Sequence, residues 1–128
     1  MEAELFNPSE MAAPVGAYSH VARVPLPGAD LLIISGQLAS NLDGDDLIDQ
    51  TEQAMEQLRL AVESCGGSMR DVVKLTTFVT RIERRPEMRE IREHYFGDRF
   101  PASTMVQVAA LLDPRALVEI EAIAVVAR

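Results

Sequence analysis

The sequence has one cysteine, few basic residues and no long hydrophobic run. Because Cys65 has no second cysteine to pair with, an intramolecular disulfide is impossible, which is compatible with a reducing compartment. Twelve lysines and arginines stand against twenty aspartates and glutamates, so the net charge is -8. Non-specific affinity for nucleic acid comes from basic side chains that displace counterions, and this balance therefore predicts no nucleic-acid partner.

The sequence also shows no pattern typical of a membrane-spanning helix or a secretion signal. The apolar runs "LLIIS" and "IEAIAVV" are far shorter than the roughly 20 residues that a bilayer-spanning helix needs. The first residues, "MEAELFNPSE", are acidic where a secretion signal would be basic. We therefore expect a cytoplasmic protein that does not use a membrane as its partner.

The residue types that hold cofactors are sparse or badly spaced. No glycine-rich phosphate loop follows a strand, and His20 and His94 lack metal-ligand spacing with each other or with carboxylates. No cofactor and no metal site are predicted, and both histidines are interpreted as hydrogen-bonded or surface residues. Cys65 lies on the apolar side of a helix end with no base signalled nearby, which favours a small core residue over a nucleophile.

The length and the hydrophobic content favour one domain over residues 1–128. With 128 residues, of which 48% are hydrophobic, the chain is long enough for a core and too short for two. Residues 1–17 have no sustained period and read as irregular. Strands are predicted at 18–24 and in "LLIISGQL", joined by the turn "PLPGAD" into a hairpin.

Residues 47–65 change to the three-and-four apolar spacing of a helix, which Asp45 or Asp46 can cap and Gly66 can end. A strand follows at 71–80, and then a second helix from Pro86 to Gly97. The segments "STMVQVAAL" and "ALVEIEAIAVV" are the last two predicted strands. This order predicts an α+β fold, a single sheet with both helices on one face.

The last strand carries two carboxylates on a hydrophobic background. Alternation puts Glu119 and Glu121 on one face with Ile123 and Val125, opposite an entirely apolar face. A face of this mixed kind, left uncovered by helices, suggests contact with another subunit. Glu121 is interpreted as polar lining, whereas Glu119 is either part of the same lining or directed into a pocket.

Five segments in this order resemble the RidA/YjgF family over nearly the whole chain: "NPSEMAAPVGAYSH", "IISGQL", "GGSMRDVVKLTTFVT", "FPASTMVQVAAL" and "VEIEAIAVV". The resemblance implies a chorismate mutase-like fold and a homotrimer in which three sheets face a central β-barrel. It also implies small-molecule ligands in clefts between subunits. Many members of this family hydrolyse reactive enamines and imines, so the resemblance implies a deaminase-like hydrolase.

Several positions match the residues that line the family's pocket. Tyr18 stands where the family has a pocket tyrosine, and Ser35 and Gly36 match the "SGQ" stretch of the pocket wall. Glu119 matches the glutamate that holds the ligand or a water. The resemblance thus implies that Glu119 and Tyr18 are catalytic, with Glu119 as the general base, and that Ser35 and Gly36 bind substrate.

The sequence departs from the family at the carboxylate anchor. The family's deaminases have an arginine in a "PAR" motif, usually followed two positions on by a cysteine, and here those substrate-binding positions are Ser103 and Met105. Gln57 and Arg89 replace asparagines that are common in relatives. A serine hydroxyl cannot make the two charge-assisted bonds of a guanidinium, so hydrolysis of 2-imino acids is expected to be weak. Arg115, or an arginine of a neighbouring subunit, is the candidate substitute.

Two classes of function remain open at this point. One is an enzyme that hydrolyses enamines or imines, for which a substrate without a carboxylate beside the reacting carbon is one option. The other is a non-catalytic protein that binds a small metabolite in the same cleft, or protects unfolded clients. A ribonuclease role is disfavoured by the acidic net charge.

Overall fold

The structure, a computed structural model, describes residues 2–128 and contains one six-stranded sheet. The strand order across the sheet is β1-β2-β3-β6-β4-β5, in which β4 and β5 are parallel and the other neighbours are antiparallel. The strands are β1 Glu4–Phe6, β2 Val21–Leu26, β3 Ala29–Gln37, β4 Val72–Val79, β5 Ala102–Gln107 and β6 Val118–Ala127.

Two α-helices complete the fold, α1 at Leu47–Ser64 and α2 at Arg89–Phe96, together with 3₁₀ helices at Met69–Asp71 and Ile82–Met88. The start of α1 is as predicted, since the side chain of Asp46 accepts a hydrogen bond from the Asp49 backbone nitrogen at 3.0 Å. Its end is followed by Gly66 with φ of +83°, a conformation that favours glycine. No helix within residues 2–128 is long and apolar enough to cross a membrane.

The core lies between the sheet and the helices. Helix α1 packs across β3 and β6, and α2 packs against α1. The face of β6 that was predicted to be apolar is buried, and its residues are Val118, Ile120, Ala122, Ala124 and Val126. The prediction of two helices on one sheet is therefore confirmed.

In the described residues 2–128, no helix lies on the opposite face of the sheet, which is partly hydrophobic. Ile33, Val106 and Val125 are 48%, 39% and 38% exposed on this face or at its edge. Glu119 and Glu121 are interleaved with them, each beside a residue of β4, Phe78 and Thr76 respectively. An apolar surface of this kind is typical of a contact surface.

The irregular structure predicted for residues 1–17 was wrong for Glu4–Phe6, which forms the edge strand β1. This short strand pairs with β2, and Glu4 accepts a hydrogen bond from the Arg23 guanidinium at 2.8 Å. The same guanidinium lies 5.3 Å from the centre of the Phe6 ring. A contact with a residue some twenty positions away thus organises a segment whose local pattern is irregular.

The second helix starts later than predicted. Pro86 lies inside the 3₁₀ helix Ile82–Met88 and α2 begins only at Arg89, whereas its end before Gly97 is as expected. The strand β5 also stops at Gln107, four residues before the predicted end, and β6 begins at Val118, two residues after the predicted start.

Candidate functional site

The Glu119 cleft, a cavity of about 760 Å³, contains five of the seven residues that were predicted to be catalytic or substrate-binding. It is formed by the N-terminal segment, the end of β3, the start of β6 and the loop before β6. The singled-out residues are Tyr18, Ser35, Gly36, Arg115 and Glu119. The fold thus brings together residues that are about 100 positions apart in the chain.

A β-bulge shapes the wall of this cleft. The pairing of β3 with β6 shifts register between Ile34 and Gln37, which leaves Ser35 and Gly36 outside the regular ladder. The Ser35 hydroxyl donates to the Ser19 carbonyl at 2.7 Å, and its backbone nitrogen donates to the His20 carbonyl at 2.9 Å. Bulges of this kind are common beside active sites because they redirect side chains.

The bulge brings the backbone of Gly36 against the Glu119 side chain. A β-carbon added to Gly36 would lie 2.4 Å from Oε2 of Glu119 and 2.9 Å from its Cγ. Only a residue without a β-carbon leaves room for the carboxylate in this position. The "SG" pair and Glu119 are therefore parts of one arrangement.

The electrostatic environment of Glu119 suits a proton acceptor. The side chain is half-buried, and this burial raises the pKa of its carboxyl, with a further rise from the negative charge of Glu121. A carboxylate with a raised pKa is a stronger base than an ordinary glutamate, and such groups cluster at functional sites. By contrast, the pKa of Asp113 in the same cleft is lowered, because its carboxylate accepts hydrogen bonds from Arg115.

Tyr18 is held over the cleft by a buried histidine. The Tyr18 ring meets the His20 ring edge-on, with centroids 5.9 Å apart and planes at 84°. His20 Nε2 donates to the Ala12 carbonyl at 2.8 Å, while Nδ1 accepts from the Gln37 amide at 3.1 Å. His20 is thus the hydrogen-bonded histidine that the sequence predicted, and it fastens the N-terminal segment to the end of β3.

Arg115 lines the cleft but is already paired with carboxylates. Its guanidinium donates to both oxygens of Asp113, at 3.1 and 3.0 Å, and lies 3.5 Å from an oxygen of Asp43. The side chain is 58% exposed. These contacts leave Arg115 a weak candidate for an additional carboxylate. Gln57 of α1 also lines this cleft.

Ser103 and Met105 lie elsewhere in the chain, on the edge strand β5. They pair with Leu75 and Thr77, both fully buried, and so belong to the helix-covered side of the sheet, whereas Glu119 belongs to the uncovered side. Met105 lines a second cleft of about 550 Å³ beside α2. Within one chain, the predicted site residues therefore form two separate groups.

One residue of the second cleft was not singled out from the sequence. Arg92 of α2 lines this cleft, and its Nη2 donates to the Ser103 hydroxyl at 2.9 Å. A signal was present, because Arg92 follows Met88 and precedes Phe96 by four residues each, in line with two buried apolar side chains. An arginine at such a position is not an ordinary solvent-facing residue.

The remaining candidates lie outside both clefts. Cys65 is a half-buried free thiol at the C-terminal end of α1 that packs against the core, as predicted. His94 is exposed and stacks edge-on with Tyr95. Among residues 2–128, no group of three or more histidines, cysteines and carboxylates is placed to hold a metal ion.

Comparison with known proteins gives matches over most of the chain. The family described as Endoribonuclease L-PSP matches residues 9–126. A 2-iminobutanoate/2-iminopropanoate deaminase of Dermatophagoides farinae is 31% identical over 118 residues, which cover 88% of this chain and 88% of that protein.

Solved structures are similar over the same extent. A member of the YjgF/YER057c/UK114 family from Mycobacterium tuberculosis is 32% identical, with a TM-score of 0.80, over 96% of this chain and 98% of that one. RidA from an Antarctic Psychrobacter is 33% identical, with a TM-score of 0.75, over 88% and 90% of the two chains. The chain thus belongs to the Endoribonuclease L-PSP family, whose members include the RidA and YjgF proteins.

Proposed function

We propose that this protein hydrolyses the C=N bond of small enamines and imines, with Glu119 as the general base. The observation that carries the proposal is the half-buried Glu119 carboxylate, whose pKa is raised by burial and which lies against Gly36 in a cleft of about 760 Å³. The similarity to a 2-iminobutanoate/2-iminopropanoate deaminase supports the reaction class. Such a reaction needs a positioned water and a proton acceptor, and no redox change.

In the proposed reaction, an enamine first tautomerises to the imine, and the imine nitrogen is protonated. Water then adds to the carbon of the protonated C=N bond while Glu119 accepts one of its protons, so that the tetrahedral carbon holds a hydroxyl and a neutral amino group. Protonated Glu119 returns the proton to the nitrogen, the C–N bond breaks with release of ammonia, and the hydroxyl gives its proton to Glu119 as the C=O bond forms. The products are a carbonyl compound and ammonia, and Tyr18 and the Ser35–Gly36 bulge confine the substrate above the carboxylate.

The complete site is proposed to form between subunits of a homotrimer. Ser103 and Met105 are separated from Glu119 by the sheet within one chain, so a second copy must supply them if all act on one ligand. The uncovered sheet face, with Ile33 and Val125 partly exposed, is the surface that would line the central β-barrel. Its burial would stabilise the assembly by roughly 25 cal/mol per Å² of apolar area. The fold over residues 1–128 acts as one domain in this assembly, and cytoplasmic localisation stays a prediction.

The test is an assay in which 2-iminobutanoate is generated in situ and its decay is followed with and without the protein. The wild-type protein should accelerate the decay, and Glu119→Gln should lower the rate by roughly 100-fold or more, because the amide keeps the shape but cannot accept the proton. Glu52→Gln, on the exposed side of α1, is the matched control and should leave the rate unchanged.

The same assay decides between catalysis and binding. If the wild-type protein does not accelerate imine decay, with neither 2-iminobutanoate nor an imine that has no carboxylate, the proposed hydrolysis is wrong. Binding of the carbonyl product without turnover would then favour the non-catalytic class of function. Both variants are compared after circular dichroism and light scattering show an unchanged fold and assembly.

A further inference from the structure

Among the arginines without a salt bridge in residues 2–128, Arg92 is the half-buried one. Its guanidinium donates to the neutral Ser103 hydroxyl at 2.9 Å, and no acidic side chain within residues 2–128 forms a salt bridge with it. By contrast, Arg89 on the same helix is 83% exposed and bonded to Glu93 at 2.8 Å. Arg92 has thus been left without an anion inside its own chain.

The energetic cost of this arrangement points to a missing partner. Arg92 is half-buried, and burial lowers the pKa of its guanidinium. Removing a charge from water is unfavourable unless an opposite charge or several hydrogen bonds compensate for it. A single neutral hydroxyl compensates only in part, so the site should gain stability when an anion enters.

The surroundings of Arg92 favour an organic anion with an apolar part. The second cleft, of about 550 Å³, is lined beside Arg92 by Met88, Phe100 and Met105, and also by the exposed residues Arg85, Pro86 and Arg89. Of the arginines in this cleft, Arg92 is the half-buried one, and its planar guanidinium matches the two oxygens of a carboxylate. The thioether and aromatic side chains suit a short hydrocarbon chain. Inorganic phosphate has no group that would use these apolar contacts.

We propose that Arg92, positioned by Ser103, binds the carboxylate of a small organic acid in the second cleft. The inference rests on the proposed function, since this acid would be the imine substrate or its carbonyl product, held beside Glu119 of another subunit. Arg92 then takes the role of the arginine that is absent at position 103, and it does so from α2 instead of β5. The Ser103 hydroxyl fixes one nitrogen of the guanidinium and leaves the others for the ligand.

The test measures the affinity for 2-oxobutanoate, the product of 2-iminobutanoate hydrolysis, by calorimetry. Arg92→Gln should weaken binding at least about tenfold, because charge-assisted hydrogen bonds are lost. Ser103→Ala should weaken it by a smaller factor, about threefold, because the guanidinium remains but is less well oriented. Arg70→Gln removes the same charge from an exposed position outside both clefts and should leave the affinity unchanged.

Two further ligands test whether the second cleft recognises both the carboxylate and the apolar part of 2-oxobutanoate. Butanone, which lacks the carboxylate, should bind to the wild-type protein at least about tenfold more weakly than 2-oxobutanoate. Inorganic phosphate should also bind more weakly, and phosphate binding as tight as that of 2-oxobutanoate would overturn the assignment to an organic acid. Equal affinity of the wild-type and Arg92→Gln proteins for 2-oxobutanoate would overturn the role of Arg92.

The binding and hydrolysis measurements can refute the anion site and the proposed function independently of each other. Binding that depends on Arg92, in a protein that does not hydrolyse imines, would support the anion site and refute the proposed function. Hydrolysis of 2-iminobutanoate that is unaffected by Arg92→Gln would support the proposed function and refute the anion site. A crystal structure in which a carboxylate of a second copy bonds to Arg92, with no change on adding 2-oxobutanoate, would also refute it.

Discussion

The contact between Gly36 and the Glu119 carboxylate shows how a residue without a side chain can determine the position of a catalytic group. In Gly36→Ala the new β-carbon would lie 2.4 Å from Oε2, so the flexible end of Glu119 has to move. We expect loss of most imine hydrolysis with the fold retained, because Gly36 does not have the positive φ at which alanine is strained. Rate measurements and circular dichroism check this. Glu52→Gln, on the exposed side of α1, is the fold control.

The pH dependence of the reaction should depend on Glu121. The negative charge of Glu121 contributes to the raised pKa of Glu119, and the base acts only when it is ionised. Glu121→Gln should therefore lower the pKa of Glu119 and move the acid limb of the kcat/KM profile to lower pH. Glu52→Gln should leave the profile where it is, and an unshifted limb in Glu121→Gln would contradict the assignment of Glu119 as the base.

The free energy of unfolding should also depend on pH through Glu119. Because the folded state raises the pKa of Glu119, its contribution to stability is fully present below the unfolded pKa and is lost as the pH rises through the folded pKa. Glu119→Gln should therefore be more stable than the wild-type protein at pH 7 and show no advantage well below pH 4.5. Urea unfolding at fixed protein concentration checks this. Equal stability at pH 7 would mean that burial does not disfavour the ionised carboxylate.

Among the elements, α1 supports the site through one buried amide. The Gln50 amide nitrogen donates to the Arg115 carbonyl at 3.2 Å, and its oxygen accepts from the Leu117 nitrogen at 2.8 Å. Gln50→Leu should cost about 1–3 kcal/mol of the free energy of unfolding, because it leaves buried backbone groups unpaired. Gln53→Leu, whose hydrogen bonds are exposed to water, should cost much less in the same denaturation experiment.

Local sequence patterns correctly predicted the elements that are marked by capping residues or by a regular apolar period. The bounds of α1 followed from Gly66 and from a cap at Asp45 or Asp46, of which the structure has Asp46. The buried face of β6 followed from its alternation. The strand β1 was not predictable in this way, because its three residues become a strand only by pairing with β2. Likewise, nothing in the local pattern around Pro86 separates a first helical turn from the 3₁₀ helix that contains it.

Some residues of the candidate site were likewise predictable from the sequence, and others were not. Motif similarity identified Gly36 and Glu119, and the structure brings them into contact. The spacing of Arg92 from Met88 and Phe96 signals a partly buried arginine, but it does not show what the arginine contacts. That depends on which strand lies beside α2, and no local pattern in "REIREHYF" shows that β5 lies there. The replacement of an arginine at position 103 was visible in the sequence, whereas the arginine that approaches Ser103 from the helix was not.

At the scale of the whole molecule, the central claim is that each site combines Glu119 of one subunit with the Arg92–Ser103 pair of a neighbour. The two groups belong to opposite sides of the sheet within a chain, so they meet only if copies assemble. In a cyclic trimer each subunit would contribute Glu119 to the site shared with one neighbour and the Arg92–Ser103 pair to the site shared with the other. The two subunits would thus use different surfaces at each interface, which makes the interface heterologous. Light scattering should give about three times the chain mass of 14.1 kDa.

The most direct test is to mix two impaired variants. Glu119→Gln and Arg92→Gln subunits are unfolded together, refolded as mixed trimers, and assayed for hydrolysis of 2-iminobutanoate. If the site is shared between neighbours, about one quarter of the sites in a random mixture combine an intact Glu119 with an intact Arg92, and activity returns in that proportion. Mixed trimers without any recovered activity would contradict the shared site, since both groups would then have to come from one chain.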